Sequence, residues 1–402
     1  MLHDGLSRVL VLRDVDQVRR KLTAMGVAPG GVDIMAGKAL FHVVLVEDVD
    51  VRAANILEQE MLARGGDVAT SRETYELGES LTDCLLLGTV AQFDRLLPKL
   101  RTLPFGLDAL ASSLATVLGN WAADTPTAHP GLDLAHGPRL MGIINVTPDS
   151  FSDPGVFADP RAAIEGAWRL VDEGAHFIDV GGESTRPGSD TTPLEEELAR
   201  VMPFIRALAG DLPVPISVDT YKASVAAQAI EAGALMVNDI SALRMDPQMA
   251  AVVRDADCPV VLMHMLGRPK TMQVNPVYED VVADLYAFFV ERLNWAVDQG
   301  IPERNLLIDP GIGFGKTLAH NLALLRDLDT FRSLGRPLVL GHSRKRFIGE
   351  LLGLPDGAPR ALGTAVVSAL AVAHHVGIVR VHDVRENAQA IRMARAVHAG
   401  SG

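Results

Sequence analysis

From residue 140 onward, short apolar runs alternate with longer stretches in which apolar residues recur at helical spacing. The runs are LMGIINV ending near Val146, HFIDVGG near Gly181, PISVDT near Thr220, LMVNDIS near Ser241, PVVLMHM near Met265, NLLIDPG near Pro310, PLVLGHS near Ser343 and IVRVHD near Asp383. Each reads as a buried strand with room for an amphipathic helix behind it. Eight such units in roughly 250 residues predict an α/β fold, a (β/α)8 TIM barrel, over residues 140–402. A polar or ionisable residue stands at the end of every run: Asn145, Asp179, Asp219, Asn238, His264, Asp309, Ser343 and Arg380. Any one of these is as well explained by a helix cap or a loop hydrogen bond. A packed barrel is apolar inside, so eight polar groups at the same strand end line the mouth, where barrel active sites lie.

The pattern before residue 125 differs. FHVVLVEDV and TDCLLLGT predict strands, and RAANILEQEMLARGG and AQFDRLLPKLRTL predict helices, giving a small α/β domain over residues 1–124. It carries no phosphate loop, metal-ligand spacing or nucleophile signature. Residues 125–139, TPTAHPGLDLAHGPR, have the Pro- and Gly-rich composition of a linker.

Charge narrows the partners. With 37 Lys+Arg against 50 Asp+Glu the net charge is −13, which disfavours nucleic acid and anionic membrane and leaves small molecules as expected ligands. Cys84 and Cys258 each lie beside an apolar run and read as buried thiols. With no basic, apolar leader at the N-terminus, this predicts a cytoplasmic protein. The uncharged run Ala361–Val379 contains two histidines and reads as a buried helix followed by a strand.

DPGIGFGKT, residues 309–317, fails the spacing of a phosphate loop because Pro310 stands where its first glycine belongs. It reads instead as a barrel-mouth loop in which Gly311, Gly313 and Gly315 let backbone approach a flat ligand and Phe314 forms a wall. HSRKRF, residues 342–347, with Arg380 and His382, predicts a pocket for an anion such as pyrophosphate. His264 shares no ligand spacing with another side chain and reads as packed.

MGIINVTPDSFSD (141–153), DVGGESTRPGS (179–189), ISVDT (216–220), VNDIS (237–241), MHMLGRPKTMQ (263–273), IDPGIGFGKTLAHN (308–321), GHSRKRFIG (341–349) and RVHDV (380–384) resemble, in order, the signature blocks of the dihydropteroate synthases. Leu266 stands where that family often has glutamine, and His342 where a small residue is common. The resemblance implies condensation of a dihydropterin methyl diphosphate with 4-aminobenzoate, with loss of pyrophosphate. It implies that Asp309, Asn238, Asp219 and Lys345 hold the pterin edge, and that Lys345, Asp219 and Arg380 carry the chemistry. Arg380, His382 and Thr185 would hold the diphosphate, with Asn145 on Mg²⁺. Phe151, Pro187, Phe314 and Ser343 would border the aminobenzoate, and Arg186 would also bind substrate. A homodimer is expected on the same ground. A methyltetrahydrofolate:corrinoid methyltransferase would share the pterin rim but has no pyrophosphate to bind, and a non-catalytic pterin-binding subunit would not need every position filled. Nothing in the resemblance explains the first 130 or so residues.

Overall fold

The structure, a computed structural model, describes residues 8–399 apart from 73, 75–79, 124, 125, 127, 136, 147–159 and 185–188. It divides into two compact units, residues 1–122 and 123–402.

The first unit holds strands β1 (Phe41–Asp50), β2 (Asp67–Thr70) and β3 (Leu81–Thr89) in one antiparallel sheet of order β1-β3-β2. Its helices are α1 (Val15–Ala24), α2 (Pro29–Ala36), α3 (Val51–Leu62), α4 (Val90–Leu100) and α5 (Leu107–Ala122). Alternation along β1 and β3 sends Val49, Cys84 and Leu86 into a core with Ala54, Leu57, Met61, Phe93 and Leu96. Asp50 caps α3 through the Arg52 amide, and Thr89 with Gln92 forms a capping box at α4. The expected strand and helix pairs are present, with β2, α1, α2 and α5 in addition.

In the second unit eight parallel strands follow one another: β4 (Arg139–Asn145), β5 (Phe177–Gly181), β6 (Ile216–Asp219), β7 (Met236–Asp239), β8 (Val260–Met263), β9 (Leu306–Asp309), β10 (Val339–Gly341) and β11 (Ile378–Val381). They pair in the order β10-β11-β4-β5-β6-β7-β8-β9, and a bridge between Ile308 and Leu338 joins β9 to β10 and closes the ring. Almost every strand residue is buried, which is why the strands read as unbroken apolar runs. The outer ring is α6 (Pro160–Asp172), α7 (Leu194–Leu208), α8 (Ala223–Glu231), α9 (Met249–Asp255), α10 (Val281–Asp298), α11 (Leu318–Arg326), α12 (Arg346–Leu351), α13 (Ala361–Ala373) and α14 (Val384–Ala399).

The stretch with linker composition does more than connect. Leu132 and Leu134 are buried in one cluster with Met141, Phe177, Met236, Val261, Leu307, Val339 and Ile378, residues at or near the starts of seven strands. They form part of the floor opposite the mouth. The run from Ala361 is helix then strand, as expected, but α13 is not buried all round: Leu362, Val366 and Leu370 are exposed. No helix of the described residues is long and apolar enough to cross a membrane.

Candidate active site

The C-terminal ends of the strands bring the polar residues together. Asn145, Asp219 and Asp309 are the last residues of β4, β6 and β9, Asn238 and Arg380 lie one residue inside the ends of β7 and β11, and Ser343 lies just beyond β10. Arg380 is the hub. Its Nε donates to Asp179 Oδ2 at 2.5 Å and its Nη2 to Asp219 Oδ2 at 2.6 Å, while Asn238 Nδ2 donates to the same Asp179 oxygen at 3.2 Å. Asp179 Oδ1 is buried with no partner among the described residues.

Two carboxylates share one guanidinium, and the electrostatics follow. Burial pushes the Asp219 carboxyl up to about 7, against the pull of Arg380 and with help from Asp179. Burial alone would lower Arg380, but Asp179 and Asp219 more than reverse this, so it stays charged. Burial likewise raises Asp309, with Lys345 opposing, and pulls Lys345 down to about 7, with Asp309 opposing.

Two strand-end glycines keep the mouth open. A Cβ on Gly341 would stand 3.3 Å from Asp309 Oδ2 and 4.0 Å from Arg380 Cδ, and one on Gly181 would stand 3.4 Å from Asn145 Oδ1 and 3.5 Å from Asp219 Cβ. Asp309 Oδ1 accepts from the Gly311 amide at 2.7 Å. Lys345 Nζ sits 4.3 Å from the centroid of Phe314 and donates to Ile312 O. Ser343 Oγ accepts from the His382 amide at 3.1 Å and lies 3.0 Å from His382 Nδ1. Thr185, Arg186, Pro187 and Phe151 lie outside the described residues.

Two local readings are corrected. The glycines of the 309–317 loop let backbone approach protein, not ligand: a Cβ on Gly311, at φ +63°, would meet His264 O at 2.0 Å, and one on Gly315 would meet Leu266 Cβ at 2.6 Å. The three cations of HSRKRF do not share a pocket. Arg344 pairs with Asp383 at 2.5 and 2.9 Å, Arg346 is exposed at the start of α12, and only Lys345 enters the mouth. His264 is packed as expected, its ring edge-on to Phe288 at 4.8 Å, and burial first and Lys316 second hold it neutral, down to about 2.

Asp179 was visible as a strand-end carboxylate but had no assigned role; here it anchors Arg380. A second group had no sequence signal beyond its charges. Lys222 Nζ donates to Glu183 at 2.5 Å, to Thr192 O at 2.7 Å and to Glu197, while Tyr221 donates to Glu183 at 2.9 Å.

The model of the family described as "Pterin binding enzyme" matches residues 141–382, from within β4 to just past the end of β11. The chain belongs to the pterin-binding enzyme family. Relatives that it matches include proteins named dihydropteroate synthase. The Synechocystis sp. dihydropteroate synthase is 46% identical over 258 residues, covering 64% of this chain and 89% of that protein. A solved structure of the Xanthomonas albilineans dihydropteroate synthase in complex with 7,8-dihydropteroate is 45% identical at a TM-score of 0.60, covering 67% of this chain and 95% of that one. A Haloferax volcanii protein named as a probable bifunctional folylpolyglutamate synthase/dihydropteroate synthase is 40% identical over 396 residues, covering 96% of this chain but 46% of that protein. The chain thus spans about half the length of that two-activity relative, and the match extends over the N-terminal unit as well as the pterin-binding barrel.

Proposed function

We propose that the barrel is a transferase that condenses (7,8-dihydropterin-6-yl)methyl diphosphate with 4-aminobenzoate, giving 7,8-dihydropteroate and pyrophosphate. The observation that carries this reading is the single rim on which Asp309, Asn238 and Lys345 stand beside the carboxylate pair bridged by Arg380. A pterin edge presents ring N–H and amino donors beside a carbonyl and a ring nitrogen. Asp309 accepts from the donors, Asn238 pairs through both ends of its amide, Lys345 donates to the carbonyl and adjacent nitrogen, and Asp219 completes the rim. A ring with the wrong edge would leave buried partners unpaired, at about 1–3 kcal/mol each.

The bond that breaks joins the pterin methylene to the diphosphate oxygen, and the bond that forms joins the same carbon to the amine. The electron-rich ring stabilises the methylene as the oxygen leaves, so no strong base is required. The proton shed by the amine leaves with pyrophosphate or water. What the protein supplies is charge for the leaving group: the guanidinium of Arg380, fixed by two carboxylates, and His382, with Thr185 assigned to the same diphosphate on the family resemblance alone. On the family resemblance Phe151, Pro187, Phe314 and Ser343 would border the aminobenzoate, and Arg186 would also bind substrate.

No group of three His, Cys, Asp or Glu side chains converges among the described residues, so these offer no complete cage for a metal. Mg²⁺ commonly takes one or two protein oxygens with substrate phosphates and water. The amide oxygen of Asn145, at the mouth above Gly181, fits that mode. Bound there, the ion would neutralise charge developing on the diphosphate.

Two further expectations belong to this reading. The exposed row Leu362, Val366 and Leu370 of α13, with Met393 and Val397 on the adjoining α14, is an apolar face suited to a second copy in a homodimer. Sedimentation at rising concentration tests it, and a chain that stays monomeric contradicts it. Both cysteines are buried and unpaired, which suits a reducing cytosol.

The decisive assay is pyrophosphate release from the pterin diphosphate with and without 4-aminobenzoate. Matched formation of pyrophosphate and dihydropteroate supports the reading; absence of both contradicts it.

A further inference from the structure

Lys316, the lysine of the GFGK block, has no place in the reaction above, yet it is only 3% exposed. Its Nζ lies 3.0 Å from Gly311 O, 3.0 Å from Phe314 O and 3.0 Å from His264 Nδ1. These are two carbonyl acceptors and a neutral imidazole, and the Asp309 carboxylate acts on it only at longer range. Burying an amine without a paired carboxylate is costly, and a surface lysine would serve equally well if only solubility were at stake.

What the amine holds explains its position. The loop is left-handed at Gly311, Gly313 and Gly315, a path that turns the carbonyls of residues 311 and 314 toward Lys316 and away from any strand or helix ladder. Gly311 O also accepts from the Phe314 amide at 3.0 Å and would keep that bond without Lys316, whereas the Phe314 carbonyl would lose its donor inside the protein. On the other side of the same loop Lys345 uses Ile312 O and the Phe314 ring. The two lysines therefore grip the same few residues, one from behind and one from the mouth.

We propose that Lys316 is a positioning residue that fixes the 311–315 loop and, through Phe314 and Ile312, the place of the Lys345 ammonium in the pterin site. This rests on the pterin reading given above. It assigns the lysine of a phosphate-loop look-alike to protein carbonyls and to no phosphate.

The test is a double-mutant cycle on the full chain, read by calorimetric titration with 6-hydroxymethylpterin. Lys316→Met, similar in length but without donors, should weaken binding at least tenfold while the melt stays cooperative. In a Lys345→Met background the same change should cost less than about threefold, because its effect passes through Lys345. Deuterium uptake should rise in the peptide spanning residues 310–317 and not in the strands. Unchanged affinity in a folded Lys316→Met, or full additivity with Lys345→Met, overturns the proposal. If Lys316→Met does not fold, Lys316→Gln takes its place in the cycle with the same outcomes. A wild-type chain that binds no pterin contradicts the function and not this inference; uptake at 310–317 then decides, and no change there overturns it.

Discussion

Arg380 on β11 donates to Asp219 on β6 at 2.6 Å, a bond that spans the barrel mouth between strands that are not neighbours in the sheet. Because the same guanidinium holds Asp179, which is fully buried, removing it leaves a carboxylate without its cation. Arg380→Met should lower stability by about 3–5 kcal/mol at pH 8. The loss should be smaller at pH 5, where the Asp219 carboxyl, pushed up to about 7 by burial, carries a proton and needs no cation. Chemical denaturation at the two pH values checks this; an equal loss at both would mean that the pair does not carry the charge balance of the mouth.

Removing the N-terminal unit should spare the chemistry, since every residue assigned to it lies between 145 and 382. The point of truncation matters. A chain starting at Ala123 keeps Leu132 and Leu134 in the barrel floor, whereas one starting at Gly137 loses both and should melt at a lower temperature, each buried leucine contributing about 2–3 kcal/mol. Thermal melts and kcat/KM of the two truncations compare them. Equal melting temperatures would show that the floor is dispensable.

Asn145→Ala should weaken binding of the pterin diphosphate in Mg²⁺ far more than binding of the free pterin, because the amide oxygen serves the leaving group. Calorimetry with both ligands measures this, and equal losses would assign Asn145 to the ring or the fold.

Lys345 gives a pH dependence with a definite sign. Its pKa falls from 10.5 to about 7 in the fold, chiefly through burial, so it is cationic below that value and neutral above it. As a donor to the ring carbonyl, it makes pterin affinity fall as the pH rises through about 7. Stability runs the other way: between about 7 and 10.5 the unfolded chain binds the extra proton, so this group favours folding increasingly as the pH rises. Pterin affinity titrated from pH 6 to 9 should show the decline in the wild type and lose it in Lys345→Met. A decline that persists in the variant would assign it to another group.

The barrel was legible because parallel strands buried on both faces write themselves as apolar runs, and their polar ends stand out against that background. Asp219, Asn238 and Asp309 were readable for this reason. Other features depend on contacts distant in sequence. Arg344 and Lys345 look alike in HSRKRF, but Asp383, 39 residues on, draws Arg344 out of the mouth. Gly311 and Gly315 look like ligand-facing glycines until His264 O and Leu266 take the space beside them. Leu132 and Leu134 sit among prolines and glycines with no periodicity, so only the barrel floor reveals them as core. β2 is four residues long and, among the described residues, pairs only with β3, too short to leave a pattern.

Asp309 is the acceptor on which recognition of the pterin edge turns. Asp309→Asn keeps the shape, and its amide oxygen is still able to accept from the Gly311 amide, but it replaces the other carboxylate oxygen with a donor facing donors. Calorimetric titration of wild type and variant with 6-hydroxymethylpterin, alongside thermal melts, measures the consequence directly. Affinity should fall by at least about 2 kcal/mol, roughly thirtyfold, with little change in melting temperature. Unchanged affinity in Asp309→Asn would remove the residue from the pterin site and contradict the account.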